Sequence, residues 1–386
     1  MSGLTSIPFF QHDLGEAELA AFAEALEGPI LTTGDTVADF ETRLAEFLGL
    51  PYAVGVTSCT AALHLALTAL DVGPGDEVIT TPMTFIATAT AILQAGATPV
   101  FADVEPDTGN LDAARVEAAI TARTRAIIPV HLFGQMCDMR ALRAIADRHG
   151  LVLVEDAAHC LEGVRDGVRP GMLSDAVCFS FYATKSITSG EGGALATRDE
   201  GLRNRVRLLR QQGLNTGAAE RARDGYRHRD MVAMGWKYNM YNLQAALLIP
   251  QLDRARRGHE RRTRLAARYR HRLREIEGVK LPALRPETRH AWHILAVWID
   301  GRDRDEVVEG LQRQAVGVTV HYHPPVHLMS YFRRTLGHAP GSFPIAERIG
   351  AGSISLPIYA AMPEDHVDEV CNRLARVLSR PEARSA

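Results

Sequence analysis

From residue 36 to about residue 255, short unbroken apolar runs alternate with stretches of helical pattern, and this alternation restricts the fold more than any other feature of the chain. The apolar runs are Tyr52–Val56, Glu77–Thr80, Pro99–Asp103, Ala126–Val130, Leu151–Glu155, Ala176–Phe181 and Gly193–Thr197. Each is too short for a helix and reads as a strand with no polar face. Helices are predicted between them, at Thr60–Leu70, Phe85–Ala95, Leu111–Ile120 and Met139–His149. A strand without a polar face must be covered on both sides, so the pattern implies an α/β fold with a mostly parallel sheet between helical layers. Sheets of this kind take ligands in the loops beyond the carboxyl ends of their strands.

The pattern changes near residue 255. A long helix from Gln251 to Glu277 carries ten Arg, and Pro282 and Pro286 then mark a linker. The remainder reads as a smaller α+β unit. Its strands are predicted at Trp292–Ile299 and Gly317–Tyr322, and its helices at Arg304–Gln314 and Pro363–Leu378. Two units follow: a large α/β domain over 1–255, and the long helix with a small α+β domain over 256–386.

Composition narrows the function classes. A net charge of −3, and Glu260, Glu275 and Glu277 on the Arg-rich helix, argue against nucleic acid as a partner. No apolar run approaches the ~20 residues that span a bilayer. The opening Met1-Ser-Gly-Leu-Thr-Ser lacks the basic start and apolar stretch of a secretory leader. Five scattered cysteines without a CxxC read as reduced thiols, so a cytoplasmic location is expected.

The 43 basic residues include only three lysines, Lys185, Lys237 and Lys280. In a chain this rich in arginine a lysine is a candidate for the place where an amine nucleophile is wanted, since guanidinium cannot serve as one; Lys237 and Lys280 read as surface charge. Lys185 follows a buried strand and precedes the Gly-rich Gly190-Glu-Gly-Gly193, which places an amine at a strand's carboxyl end. A desolvated lysine there forms Schiff bases with aldehydes, pyridoxal phosphate (PLP) included. PLP chemistry needs three further parts. Asp156, ending the run that begins at Leu151, can face the pyridine nitrogen. Ser58, Cys59 and Thr60, opening a helix after Tyr52–Val56, can bind a phosphate with free N–H groups. Phe85, after another strand end, can stack on a ring. Singly, each has an ordinary explanation as a cap or core residue; the conjunction carries the reading. His131, Gln135 and Glu191 have loop-capping readings of equal weight. A histidine metal site at His321, His323 and His327 lacks a nearby carboxylate, and no metal is expected.

These residues resemble the DegT/DnrJ/EryC1/StrS family of PLP-dependent nucleotide-sugar aminotransferases, of aspartate-aminotransferase fold (fold type I). The resemblance runs through Leu31-Thr-Thr-Gly34, Thr57–Leu63, Gly75–Ile79, Pro129–Gly134, Glu155–His159, Ser180–Gly193, Gly235–Ala246 and Val320–Tyr322. It implies that Lys185 is the Schiff-base lysine and proton shuttle and Asp156 the pyridine-nitrogen partner. Phe85 would stack on the ring and His159 would flank the ring hydroxyl. Ser58, Cys59, Thr60 and Ser180 would bind the phosphate, with Asn239 reaching it from the neighbouring subunit of a homodimer. Thr33, His321 and Tyr322 fall where the family contacts substrate. The implied reaction is ping-pong transfer of the amino group of L-glutamate to a keto-sugar nucleotide. Asn239 and His159 resemble the branch of the UDP-4-amino-4-deoxy-L-arabinose aminotransferase, which implies C4 of a UDP-linked sugar; C3 amination of a dTDP- or UDP-linked sugar is the alternative. Cys59 departs from the usual Gly or Ala, and Tyr182 from a common His. Dehydratase relatives carry His in place of the lysine, so Lys185 argues against that branch. A non-catalytic regulatory homologue is disfavoured because every expected cofactor residue is present.

Overall fold

The computed structural model describes residues 5–216, 228 and 230–379. Residues 1–4, on which most of the leader argument rests, lie outside them. The alternation seen in the sequence becomes a seven-stranded sheet in the order β1-β8-β7-β5-β4-β2-β3. The strands are β1 (Tyr52–Val56), β2 (Glu77–Thr80), β3 (Thr98–Phe101), β4 (Thr124–Ile128), β5 (Val152–Asp156), β7 (Ala176–Ser180) and β8 (Gly193–Thr197). A two-stranded ribbon pairs β6 (Val164–Arg165) with β10 (Thr288–Arg289). Six strands point the same way; β8 alone runs antiparallel to both its neighbours. Each predicted strand of the large sheet is present within two residues of its expected ends. Continuous burial explains the apolar runs, because helices cover both faces and form two cores.

The pairing register aligns the functional edge. Gly193 of β8 sits opposite Val56 of β1 and also opposite Ser180 of β7. Asp156 of β5 sits opposite Cys178 of β7. The carboxyl ends of β1, β5 and β7 therefore reach one rim. A buried ion pair of Arg210 with Glu41 steadies β1 there. Glu41 accepts from the Gly55 N–H at 2.9 Å, and Arg210 donates to the Gly55 carbonyl at 2.7 Å. Both backbone groups of a side-chain-free residue are thus satisfied inside the core.

The C-terminal unit holds a three-stranded antiparallel sheet of β12 (Ser353–Leu356), β11 (Leu295–Ile299) and β9 (Val279–Lys280). Two expectations are corrected here. The segment 317–322 is extended but forms no continuous strand. Its pairing is divided between Ile7, which accepts from Gly317, and Ser355, which exchanges bonds with Thr319. The long helix runs over Asn242–Leu273, starting earlier and ending sooner than Gln251–Glu277. Its first turns are buried against helix Asp35–Leu48, and Pro250 lies inside it. The helix therefore runs without a break across residue 255. Ile7 packs among Leu265, Val316 and Val370 in the small unit's core, so the start of the chain is shared between units.

Candidate active site

Beyond that rim lies a cavity of about 470 Å³. Its lining brings together Ser58, Cys59, Thr60, Phe85, Asp156, His159, Ser180, Lys185, His321 and Tyr322, ten of the twelve residues singled out in sequence. Lys185 lies in the turn after β7, its N–H bonded to the Tyr182 carbonyl at 2.9 Å. The side chain is half-buried, but its amine sits inside the cavity and donates to His293 Nε2 at 3.3 Å. Desolvation lowers its pKa to about 8, against the opposing pull of Cys59 and Asp156. Of the other lysines, Lys280 is exposed and paired with Asp300 at 2.5 Å, and Lys237 makes a backbone bridge with Gln211.

Asp156 is buried at the end of β5. Thr88 Oγ1 donates to one carboxyl oxygen at 2.8 Å and the Ala158 N–H to the other at 3.1 Å. The Cys59 thiol stands 3.9 Å away. Burial raises the Asp156 pKa, while Thr88, Ala158 and the charge of Lys185 oppose that rise. Such an arrangement suits a carboxylate whose missing partner is a protonated heterocyclic nitrogen.

The phosphate loop opens helix Cys59–Ala69, whose first N–H groups have no intrahelical acceptor. Ser58 caps the helix, accepting from the Ala61 N–H at 3.1 Å. Ser180 closes the same corner. Gly193 lies beneath it, where a Cβ would stand 2.3 Å from the Ser58 carbonyl carbon and 2.5 Å from the Cys59 nitrogen. Only glycine lets strand and loop approach this closely.

Phe85 is 58% exposed at the N-cap of helix Ile86–Gln94, with its ring 6.4 Å from that of Tyr322. A core role is thereby excluded. The Tyr322 hydroxyl lies 3.2 Å from His159 Nε2, and His159 Nδ1 is buried with no partner. Burial, then the charge of Lys185, holds His159 well below its usual pKa, so the ring is neutral. His321 bonds Ser355 Oγ at 2.8 Å and is lowered to about 4 by burial. Tyr182, at the mouth, is half exposed.

Asn239 and Thr33 stand apart from this cavity. Asn239 Nδ2 donates to Thr33 Oγ1 at 2.7 Å, Thr33 bonds the Met240 carbonyl, and the buried Asn239 Oδ1 has no partner. His131 is wholly buried against Glu155 at 2.6 Å and does not line the cavity. Gln135 ties the linker, bonding the Ala283 carbonyl and the Arg285 N–H. The Glu191 carbonyl accepts from Ser189 and Gln244, a turn role, although the residue also lines the mouth. His327 bonds Glu347 in a different cluster from His321.

Sequence reasoning missed His293, Thr88 and the N-terminal Phe9 and Phe10, all at or against this site. His293 opens an apolar run, but nothing local tied it to Lys185, and the aromatic pair near the N-terminus offered no signal.

The residues present fit PLP. The unpartnered nitrogen of His159, the free N–H groups over Gly193 and the buried Asp156 carboxyl beside Lys185 are the groups that a phosphorylated pyridine aldehyde would meet. Residues 12–375 match the family model described as the DegT/DnrJ/EryC1/StrS aminotransferase family. The chain belongs to that family. It is a PLP-dependent sugar aminotransferase of fold type I. Among relatives of this DegT/DnrJ/EryC1/StrS member, the spore coat polysaccharide biosynthesis protein SpsC of Bacillus subtilis (strain 168) is 41% identical over 370 residues, covering 94% of this chain and 95% of that protein. The structure of S. venezuelae DesV in complex with a ketimine intermediate superposes with a TM-score of 0.90 at 36% identity, covering 98% of this chain and 100% of DesV. DesI, solved in the presence of its TDP-sugar product, gives 0.86 at 35% identity, covering 98% and 93%.

Proposed function

We propose that the enzyme moves the amino group of L-glutamate to C4 of a UDP-linked 4-keto sugar. The observation that carries the chemistry is the half-buried Lys185 amine, lowered to about 8, facing a cavity that Asp156 closes from β5. When bound, PLP supplies an aldehyde for imine exchange and an electron-withdrawing ring. Asp156 holds the proton on the ring nitrogen, and Thr88 holds Asp156. Ser58, Cys59, Thr60 and Ser180 would bind the phosphate, Phe85 would cover one ring face, and His159 would meet the ring hydroxyl. Lys185 Nζ takes the proton from Cα of glutamate and later returns one to the sugar carbon. Glutamate leaves as 2-oxoglutarate and the keto carbon becomes an amine, which balances the transfer. His321 and Tyr322 line the side on which the sugar enters.

We also infer a cytoplasmic homodimer. The five cysteines are free and buried, and the Asn239–Thr33 pair lies outside its own cavity with an unsatisfied oxygen. The choice of C4 rests on His159 and Asn239. The TDP-sugar product in whose presence DesI was solved supports keeping a dTDP-linked substrate in view, and C3 amination of a dTDP- or UDP-linked sugar is the alternative. The test is incubation with nitrogen-labelled glutamate and a panel of UDP-, dTDP- and GDP-keto sugars, read by mass, with the position of the new amine read by NMR. Label entering no sugar would overturn the proposal. Ketone formation without glutamate consumption would instead assign a dehydratase.

A further inference from the structure

A second cavity, of about 1020 Å³, opens on the outer side of the long helix and shares no lining residue with the first. Six arginines line it: Arg169 after β6, Arg256, Arg264, Arg270 and Arg274 on or at the end of the helix, and Arg289 in β10. Elsewhere many arginines are neutralised by carboxylates. Arg205 pairs with Asp71, Arg285 with Glu105 and Asp107, and Arg313 with Glu309. Among the described residues, none of these six has a carboxylate within ion-pair distance. The wall's own Glu162 pairs with Arg262 at 2.6 Å and also pulls on Arg289, whose Nε donates to the Glu162 carbonyl at 2.9 Å; Arg270 donates to the Pro282 carbonyl at 3.0 Å, and Glu260 is the wall's other carboxylate. The cluster carries its own repulsion: burial and then Arg274 lower Arg270, and burial and then Arg169 lower Arg289. A concave wall of one sign concentrates counter-ions. Guanidinium forks match phosphate oxygens. Between the arginines the floor is apolar, with Phe47 under Arg256, and Trp292 stacked on the neutral His290 at 4.0 Å.

From this geometry we infer a second ligand site, for a nucleotide carrying two or more phosphates, held by Arg264, Arg270 and Arg289 over the Trp292 floor. The six fixed charges need a polyanion, and the apolar floor takes a base. The volume is at the upper end of small-molecule sites. Trp292 faces this groove, while the next residue, His293, faces Lys185. Occupancy of the groove therefore has a one-residue route to the catalytic amine. The inference does not depend on which sugar is aminated.

The test titrates ATP into the PLP-loaded protein, by calorimetry and by tryptophan fluorescence. The wild type is expected to bind one ATP per chain saturably, and inorganic tripolyphosphate is expected to displace it. Arg264→Ala/Arg289→Ala is expected to weaken binding roughly tenfold for each arginine removed while keeping the bound cofactor and the amination activity. Should that protein not fold, Arg264→Gln alone, exposed on the helix, is expected to weaken ATP about tenfold. No saturable binding, equal binding by wild type and variant, or ATP that tripolyphosphate cannot displace would each overturn the site. Loss of sugar amination with ATP binding intact would count against the reading of the first cavity, not the second.

Discussion

At the scale of single residues, the site is an arrangement of protonation states. Lys185 must be neutral to attack an aldehyde, and burial takes it to about 8. The sign follows directly: below that pH the ammonium dominates, and above it the nucleophilic amine does. At pH 7 about a tenth of the chains would carry the free amine, against fewer than about one in a thousand for an ordinary lysine. Modification of the cofactor-free protein by an amine-reactive reagent, followed by mass on the Lys185 peptide, should rise with a midpoint near 8. A midpoint at 10 or above would show that the cavity does not desolvate the amine. Lys185→Arg should lower the bleaching of the cofactor's absorbance by glutamate at least about a thousandfold, because guanidinium neither forms the imine nor carries the proton. Thr88 acts through Asp156. Thr88→Val removes a hydrogen bond to a charged group, worth about 1.5–3 kcal/mol. Cofactor affinity should fall about tenfold or more, with Thr88→Ser restoring it and the melting temperature of the cofactor-free protein nearly unchanged. Equal affinity in Thr88→Val would remove Thr88 from the site.

At the scale of elements, much of this was readable from sequence. An apolar run ends where its strand leaves the core, so Asp156, Ser180 and the Ser58–Thr60 loop could be placed on one rim from run ends alone. Thr88 and His293 could not. His293 reaches Lys185 across 108 residues, and no local pattern encodes such an approach. The long helix was misjudged for a related reason. Its first turns are buried like the strands around them, and the packed helix continues through Pro250. Register adds a requirement that composition hides. Gly193 is pinned between β1 and β7 under the phosphate loop, and a methyl group there meets backbone rather than a movable side chain. Gly193→Ala should cost about 1–3 kcal/mol or more and lose the cofactor. Gly190→Ala, in open space but at φ +79°, should cost about 1–2 kcal/mol of backbone strain and keep it. Thermal melts with and without PLP distinguish the two. A Gly193→Ala protein that retains the cofactor normally would show that loop and strand can separate.

For the whole molecule, the remaining question is how the two halves of the proposed site meet. Asn239 spends its amide on Thr33 and leaves a buried oxygen unpaired, and it is not among the residues lining its own Lys185 cavity. A phosphate, itself an acceptor, would be met by the Nδ2 group; the buried unsatisfied oxygen is costly and calls instead for a donor from a partner. A two-fold dimer offers one, because every contact it makes is made twice. If Asn239 serves the neighbour's phosphate, Lys185→Ala and Asn239→Asp damage opposite contributions to one site. Each homodimer alone should then be nearly inactive. When the two proteins are unfolded and refolded together, half of the dimers should be mixed, and each mixed dimer holds one intact site and one doubly damaged site. Glutamate-dependent amination should return to about a quarter of wild type. Sharing within a single chain predicts no recovery, since every chain in the mixture then carries one lesion in its own site. The same mixture analysed by native mass separates failed assembly from failed chemistry: mixed dimers present without activity would refute the shared site itself.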